Sequence, residues 1–205
     1  MTPESIAGLL QPYVAGAPQN AGWPRIHAQL AVYLELILKW NARTNLTSIR
    51  TPGEIVRRHF GESLFAGAHL GPCATLLDFG SGAGFPGIPI QLLRPDVAVT
   101  LAESQGKKAA FLREAVRTLA LPTEVWAARV ESMPPARRFD TVVLRAVDDM
   151  DAAVIEAAAR ASRQVLLLTT SGQPAHPALE AGFRLADPIP LPESNQGVLL
   201  IAHRI

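Results

Sequence analysis

The sequence predicts an α/β protein in which a doubly wound, mostly parallel sheet follows a helical N-terminal segment. Three observations carry this expectation. Residues 24–40 keep helical apolar spacing, residues 74–169 alternate short apolar runs with helical stretches, and the first apolar run ends in a glycine-rich turn. At 205 residues, 48% hydrophobic and 18% charged, the chain can bury a core and build one domain with a modest appendage; a disordered chain is excluded. A net charge of +1 excludes a histone-like coating role, so a nucleic acid partner would be held by a local basic patch. The single cysteine, Cys73, can form no internal disulfide or cysteine zinc cluster and fits a reducing compartment. The start MTPESIAGLL lacks the pattern of a secretory signal, and no apolar run approaches the roughly 18 residues that span a bilayer. A soluble cytoplasmic protein without a membrane partner is expected.

Taken in order, Ile26, Leu30, Leu34, Ile37 and Leu38 mark one face of an amphipathic helix that reaches Trp40, and residues 41–47 form a polar loop. A second helix is expected over 52–68, with Pro52 in its first turn and Glu54 near the positive end of its dipole. Together with a helical stretch before Gly16, residues 1–70 read as a helical extension and 71–205 as the sheet domain. Apolar runs at 74–79, 97–102, 123–128, 141–144 and 165–169 predict buried strands, with helices over 88–93, 111–119 and 150–161 between them. The proline-rich tail, closing on the apolar residues 198–202, supplies one or two further strands at the sheet edge.

The first strand carries Asp78 and runs into Gly80, Gly82 and Gly84 before a helix that follows Pro86. Such a turn lets a cofactor approach the main chain, because side chains at these glycines would fill the space it needs; without a ligand it is a tight strand-to-helix turn. The next strand ends at Glu103, 23 positions after Gly80, followed by Ser104 at the same edge. A carboxylate there can accept the two hydroxyls of a ribose. Nicotinamide dinucleotides and S-adenosylmethionine both use this arrangement. Counted from Gly80, the first glycine of the turn, the dinucleotide pattern G-x-G-x-x-G is not met, since its third glycine would fall at Phe85 and Gly87 lies two places beyond. Asp78 suits an ammonium group better than a diphosphate, and charge therefore favours the sulfonium donor.

Several blocks in order then show that the chain resembles the bacterial small-subunit ribosomal RNA methyltransferase G family, also called the glucose-inhibited division protein B family. They are Lys39-Trp40-Asn41, Asn45-Leu46-Thr47, Arg58-His59 with Ser63-Leu64, GSGAGFPGIP at 80–89, Gly106-Lys107-Lys108 with Phe111-Leu112-Arg113, Arg129-Val130-Glu131 and Arg145-Ala146. The resemblance implies a class I S-adenosylmethionine-dependent fold, Rossmann-like with a seven-stranded, mostly parallel sheet. It also implies methyl transfer to N7 of a guanine in the 530 loop of 16S ribosomal RNA. Residue by residue, Gly80 and Phe85 match cofactor-contacting positions, Val130 and Glu131 a pair beside the adenine, and Arg145 the arginine after the fourth strand. The chain departs from the family pattern at Glu62, where aspartate is usual, at Thr169-Thr170-Ser171-Gly172, and in the acidic Asp148-Asp149.

Guanine N7 carries a lone pair and no proton, so its methylation is an in-line displacement that requires alignment and no general base. Arg145, at the carboxyl end of a buried strand, is the expected substrate-positioning residue, clamping a phosphate or the acceptor face of guanine. RNA contacts are expected from Lys39, Arg43, Arg50, Arg57, Arg58 and His59, with Lys107 and Lys108 extending the patch. Trp40 serves either as a base platform or as core. The partner is 16S RNA or the 30S subunit, the expected state is a monomer, and no metal site is expected. Two rival readings stand beside the methyltransferase: a nicotinamide-dependent reductase on the same fold class and a non-catalytic ribosome assembly factor.

Overall fold

The computed structural model describes residues 1–18, 21–172, 174 and 176–205. The helical lead-in comprises α1 (Pro3–Leu10), capped by the Thr2 side chain, α2 (Trp23–Asn41), the single turn α3 (Pro52–Glu54), a π-helical stretch (Ile55–Gly61) and α4 (Glu62–Ala68). The last three run on without a break, as Pro52 in the first turn and Glu54 near the positive end of the dipole predict. The sheet contains β1 (Thr75–Phe79), β2 (Ala98–Ala102), β3 (Glu124–Trp126), β4 (Phe139–Arg145), β5 (Ala161–Thr170), β6 (Phe183–Leu185), β7 (Ile189–Pro190) and β8 (Gly197–Arg204). Between the strands lie α5 (Gly87–Leu93), α6 (Gly106–Thr118), α7 (Met150–Arg160) and α8 (Pro177–Glu180).

Seven strands follow the path β3-β2-β1-β4-β5-β8-β6, and the two-residue β7 pairs with β8 as an eighth. The first five are parallel, and β8 runs antiparallel between β5 and β6. The chain steps outward from β1 through β2 to β3, then returns to the other side of β1 for β4 and β5. A ligand crevice is therefore expected where the order reverses, beyond the carboxyl ends of β1 and β4. Register brings those ends level: Phe79 lies beside Ala102 of β2 and Leu144 of β4. The residues that follow, Gly80, Glu103 and Arg145, thus meet at one edge.

Side chains alternate across the sheet as its pleat requires. Leu76, Leu101 and Val143 face a core shared with Ile26, Leu30, Tyr33, Ile37 and Phe60 of the lead-in and with Ile88 and Phe111 of α5 and α6. Leu77, Phe79, Val142 and Leu144 face the other side, packed on Val154 and Ala157 of α7. The lead-in therefore covers one face of the sheet and shares its core.

Differences from expectation have local causes. β5 begins at Ala161, which pairs with Phe139, and passes through the polar Ser162, Arg163 and Gln164, which belong to no apolar run. Similarly, α6 begins at Gly106 with solvent-facing lysines, and β4 starts at Phe139 ahead of a register shift before Thr141. The tail makes three strands, since β6 and β7 are too short to show alternation. Among the described residues no helix is long and apolar enough to cross a membrane.

The start of α5 packs tightly against the sheet. A Cβ at Gly87 would meet Leu101 and lie 2.6 Å from the Asp78 carboxylate, whereas one at Gly106 would meet nothing within 4 Å. Gly87→Ala is expected to cost about 1–3 kcal/mol by overpacking. Gly106→Ala should be neutral or stabilising by up to about 1 kcal/mol. Urea denaturation of both variants checks the contrast.

Candidate active site

Beyond β1 the chain turns through Gly80, Gly82 and Gly84 at φ of +70°, +57° and +88°, a region that strongly favours glycine. The turn is pinned from the neighbouring strand. Ser81 N–H donates to Ala102 O at 2.9 Å, and Gly82 N–H donates to Glu103 Oε2 at 2.9 Å. The other oxygen of Glu103 accepts Gln105 N–H at 2.7 Å. A carboxylate offers about four lone-pair sites, so Glu103 holds the turn and retains acceptor capacity for the cavity it lines.

That cavity, about 620 Å³, is walled on one side by Gly80, Ser81, Gly82, Glu103, Ser104, Val130 and Glu131. Thr47, His59, Phe85, Arg145 and Asp148 also line it. Its size falls in the range of small-molecule sites. The nearest atom to a Cβ built at Gly82 is 3.9 Å away, leaving bare main chain at the opening. Val130 is buried at the start of a 3₁₀ turn (Val130–Ser132), while Ser104 and Glu131 are exposed at the rim. The structure thus brings together Gly80, Gly82, Phe85, Glu103, Ser104, Val130, Glu131 and Arg145.

Two of the expected cofactor contacts are placed elsewhere. Gly84 does not line the cavity: a Cβ there would strike the Tyr33 hydroxyl and Ile88, so its glycine serves packing against the lead-in. Asp78 lies fully buried behind the turn, with Oδ2 accepting Gly87 N–H at 2.9 Å and Oδ1 without a partner. Burial raises its pKa to about 7. It anchors the start of α5 and does not reach the cavity wall.

Arg145 is tied into a buried network. Its Nη2 donates to Glu62 Oε2 and to Arg58 O, and its Nη1 donates to His59 Nδ1, all at 2.9 Å. Glu62 also receives Arg58 Nε at 2.9 Å. Among the described residues, Nε–H and one Nη1–H of Arg145 have no acceptor, and the residue lines the cavity.

His59 is a further correction. Expected as a basic RNA contact, it is 8% exposed and its ring stacks on Phe85 at 4.5 Å. Burial, reinforced by the charges of Arg145 and Arg58, lowers its pKa to about 3. It is a neutral ring in the cavity wall.

The other expected RNA contacts lie on the lead-in. Lys39 and Arg43 are exposed at the end of α2, beside a second hollow of about 420 Å³ that they line together with Trp40 and Thr44. Neither Lys39 nor Arg43 has an ion-pair partner among the described residues. Arg50 is engaged with Asn41 O and Asn45 Oδ1, Arg57 pairs with Glu193 at 3.3 Å, and Arg58 pairs with Glu62. Trp40 is half-buried and meets Phe111 edge-on at 5.6 Å, which places it with the core. The sequence did not point to Ser48 or Gln105 of the lining; it offered Lys108 only as an extension of the RNA patch, and Thr47 and Glu62 only through the family pattern. Among the described residues no acidic, histidine or cysteine cluster could hold a metal.

Residues 26–180 match the family described as rRNA small subunit methyltransferase G (GidB). The chain belongs to this family. The ribosomal RNA small subunit methyltransferase G of Nitrosomonas europaea is 48% identical over 126 residues, which are 60% of this chain and 58% of that protein. The protein of the same name from Xanthomonas campestris pv. campestris is 41% identical over 169 residues, 80% of this chain and 79% of that one. Two solved structures share the fold of this methyltransferase G family member. Mitomycin 7-O-methyltransferase MmcR has a TM-score of 0.60 at 16% identity, covering 98% of this chain and 73% of that one. Magnesium protoporphyrin IX methyltransferase from Synechocystis PCC 6803 has a TM-score of 0.53 at 15% identity, covering 97% and 91%. The fold is that of class I S-adenosylmethionine-dependent methyltransferases.

The burial of Asp78 has a measurable consequence. Its folded pKa is about 7 against an ordinary 3.8, so the native protein keeps a proton that the unfolded chain releases between these values. Its contribution to stability therefore falls as pH rises from about 4 to 7. The stability of Asp78→Asn relative to the parent should rise across that window in thermal melts without ligand. A pH-independent difference would contradict the assignment.

Proposed function

We propose that this chain transfers a methyl group from S-adenosylmethionine to N7 of a guanine in the 530 loop of 16S ribosomal RNA, acting in the cytoplasm as a monomer. The observation that carries the reading is the bare glycine turn held by Glu103 at the point where the strand order reverses. The residues present fit the donor. Gly80 and Gly82 offer main chain without side chains, Glu103 keeps acceptor sites for ribose hydroxyls, and Val130 and Glu131 stand at the adenine end. S-adenosylmethionine, when bound, supplies an electrophilic methyl on a sulfonium.

The protein's own work is alignment. N7 has no proton to lose, so no side chain needs to act as a base. His59 and Phe85 stack on each other in the cavity lining, and the N–H groups of Arg145 not used in its network serve as positioning donors for the substrate. A diphosphate is disfavoured at this site. It would seek the N-terminus of α5, where the Gly87 N–H is already taken by the Asp78 carboxylate. That argues against the reductase reading.

Incubation with labelled S-adenosylmethionine and 30S subunits tests the proposal, alongside calorimetric titration with S-adenosylhomocysteine and NADH. Methyl incorporation at one guanine, with S-adenosylhomocysteine bound and NADH not, is expected. Subunit binding without methyl transfer would favour the assembly factor. On the RNA side, replacing Lys39 and Arg43 together by Gln should lower the slope of log K against log salt by about 1.5 to 2 if both meet phosphates. An unchanged slope places the RNA on another surface.

A further inference from the structure

The hydrogen-bond chain behind the cavity wall fixes the direction of one proton. Arg145 carries only donors, and its Nη1 lies 2.9 Å from His59 Nδ1, so Nδ1 is the acceptor and bears no hydrogen. A neutral imidazole carries one N–H, which must then be on Nε2. His59 Nε2 lies 2.7 Å from Thr47 Oγ1 and donates to it. The same oxygen accepts Ile49 N–H at 3.1 Å. Both lone pairs of the hydroxyl are thereby occupied. Its own hydrogen finds no acceptor among the described residues, and Thr47 lines the cavity.

The position of this hydroxyl is not accidental to a floppy loop. Asn41, buried at the end of α2, ties the segment down: its Oδ1 accepts Leu46 N–H at 2.9 Å and Thr47 N–H at 3.2 Å, and its Nδ2 donates to Thr47 O at 3.1 Å. The protein thus presents a fixed donor, with no partner of its own, to whatever occupies the substrate side.

We infer that Thr47 Oγ1 donates a hydrogen bond to O6 of the target guanine and is the residue that distinguishes guanine from adenine. This rests on the N7-methylation reading above. On the edge that bears N7, guanine and adenine differ only at position 6, where guanine offers an acceptor and adenine a donor. N7 itself must stay unpaired to react. A donor fixed by the Arg145–His59–Thr47 chain matches guanine and opposes the amino group of adenine. An unpaired donor facing a donor is the arrangement that rejects a wrong substrate most strongly.

The experiment compares the full-length protein, Thr47→Val and Thr47→Ser on small-subunit RNA or reconstituted subunits carrying guanine or 2-aminopurine at the methylated position. 2-Aminopurine keeps N7 and lacks the group at position 6. Thr47→Val is expected to lower kcat/KM on guanine by about tenfold or more, the loss typical of one good hydrogen bond, and to change it less than about twofold on 2-aminopurine. Thr47→Ser retains the donor and should stay close to the parent on guanine. Equal losses on both bases, or none on guanine, overturn the inference and leave the methyltransferase reading standing. A parent protein that binds S-adenosylhomocysteine yet methylates neither RNA overturns that reading and this inference with it. Imidazole ¹⁵N NMR of the parent supplies a test that needs neither variant nor substrate: hydrogen on Nε2 of His59 is expected, and hydrogen on Nδ1 would overturn the chain on which the inference stands.

Discussion

The contact between Glu62 and Arg145 joins the two parts of the molecule at the point where chemistry is expected. Glu62 starts α4 in the helical lead-in and Arg145 ends β4 in the sheet; their side chains are 6% and 14% exposed and meet at 2.9 Å. Buried charges are tolerated only when paired and hydrogen-bonded. This pair meets that condition through Arg58, which adds a second cation and a main-chain acceptor. Holding β4 against the lead-in sets His59 against Phe85 and, through His59, orients Thr47. One wall of the cavity is thus made by residues far apart in sequence and fixed by one ionic contact.

The charges around the cavity follow from the same arrangement. Glu103, Glu131, Asp148 and Asp149 line it against Lys108, Arg129 and Arg145, and Arg145 is already balanced by Glu62. What remains suits a cationic donor. The one imidazole in the wall is held neutral by burial and by two neighbouring guanidinium groups. On the proposed reading, a neutral ring adds no positive charge beside a base that becomes positive as N7 is methylated, whereas a protonated one would oppose that reaction. The departure from the family pattern at Glu62 fits here, because a glutamate reaches both Arg58 and Arg145 from the surface of α4.

Much of this was legible in the sequence wherever the signal was local. The glycine turn, the strand before it and Glu103 stand close in space; helical spacing located α2, Pro52 and Glu54 the start of the next helical run, and short apolar runs the five parallel strands. Sequence reasoning erred where one pattern served two purposes. Gly84 and Gly82 look alike in the turn, yet one is glycine because Tyr33 and Ile88 press on it and the other opens to the cavity. Asp78 carries the charge expected of a ligand contact but is spent on the first N–H of α5. His59 sits among arginines, and only its burial reveals that it carries no charge. Thr47 stands in the Asn45-Leu46-Thr47 block, but nothing local marks its hydroxyl, whose partner His59 lies in the π-helical stretch. The short edge strands β6 and β7 escaped because three and two residues cannot display alternation.

Glu62 and Arg145 act as one unit that joins the lead-in to the sheet. A double-mutant cycle on stability tests it most directly, comparing Glu62→Gln, Arg145→Met and the double variant by urea denaturation. A coupling energy of about 1–3 kcal/mol between the two positions is expected, with the double variant less damaged than the sum of the single changes. Effects that simply add, within about 0.5 kcal/mol, would contradict the account.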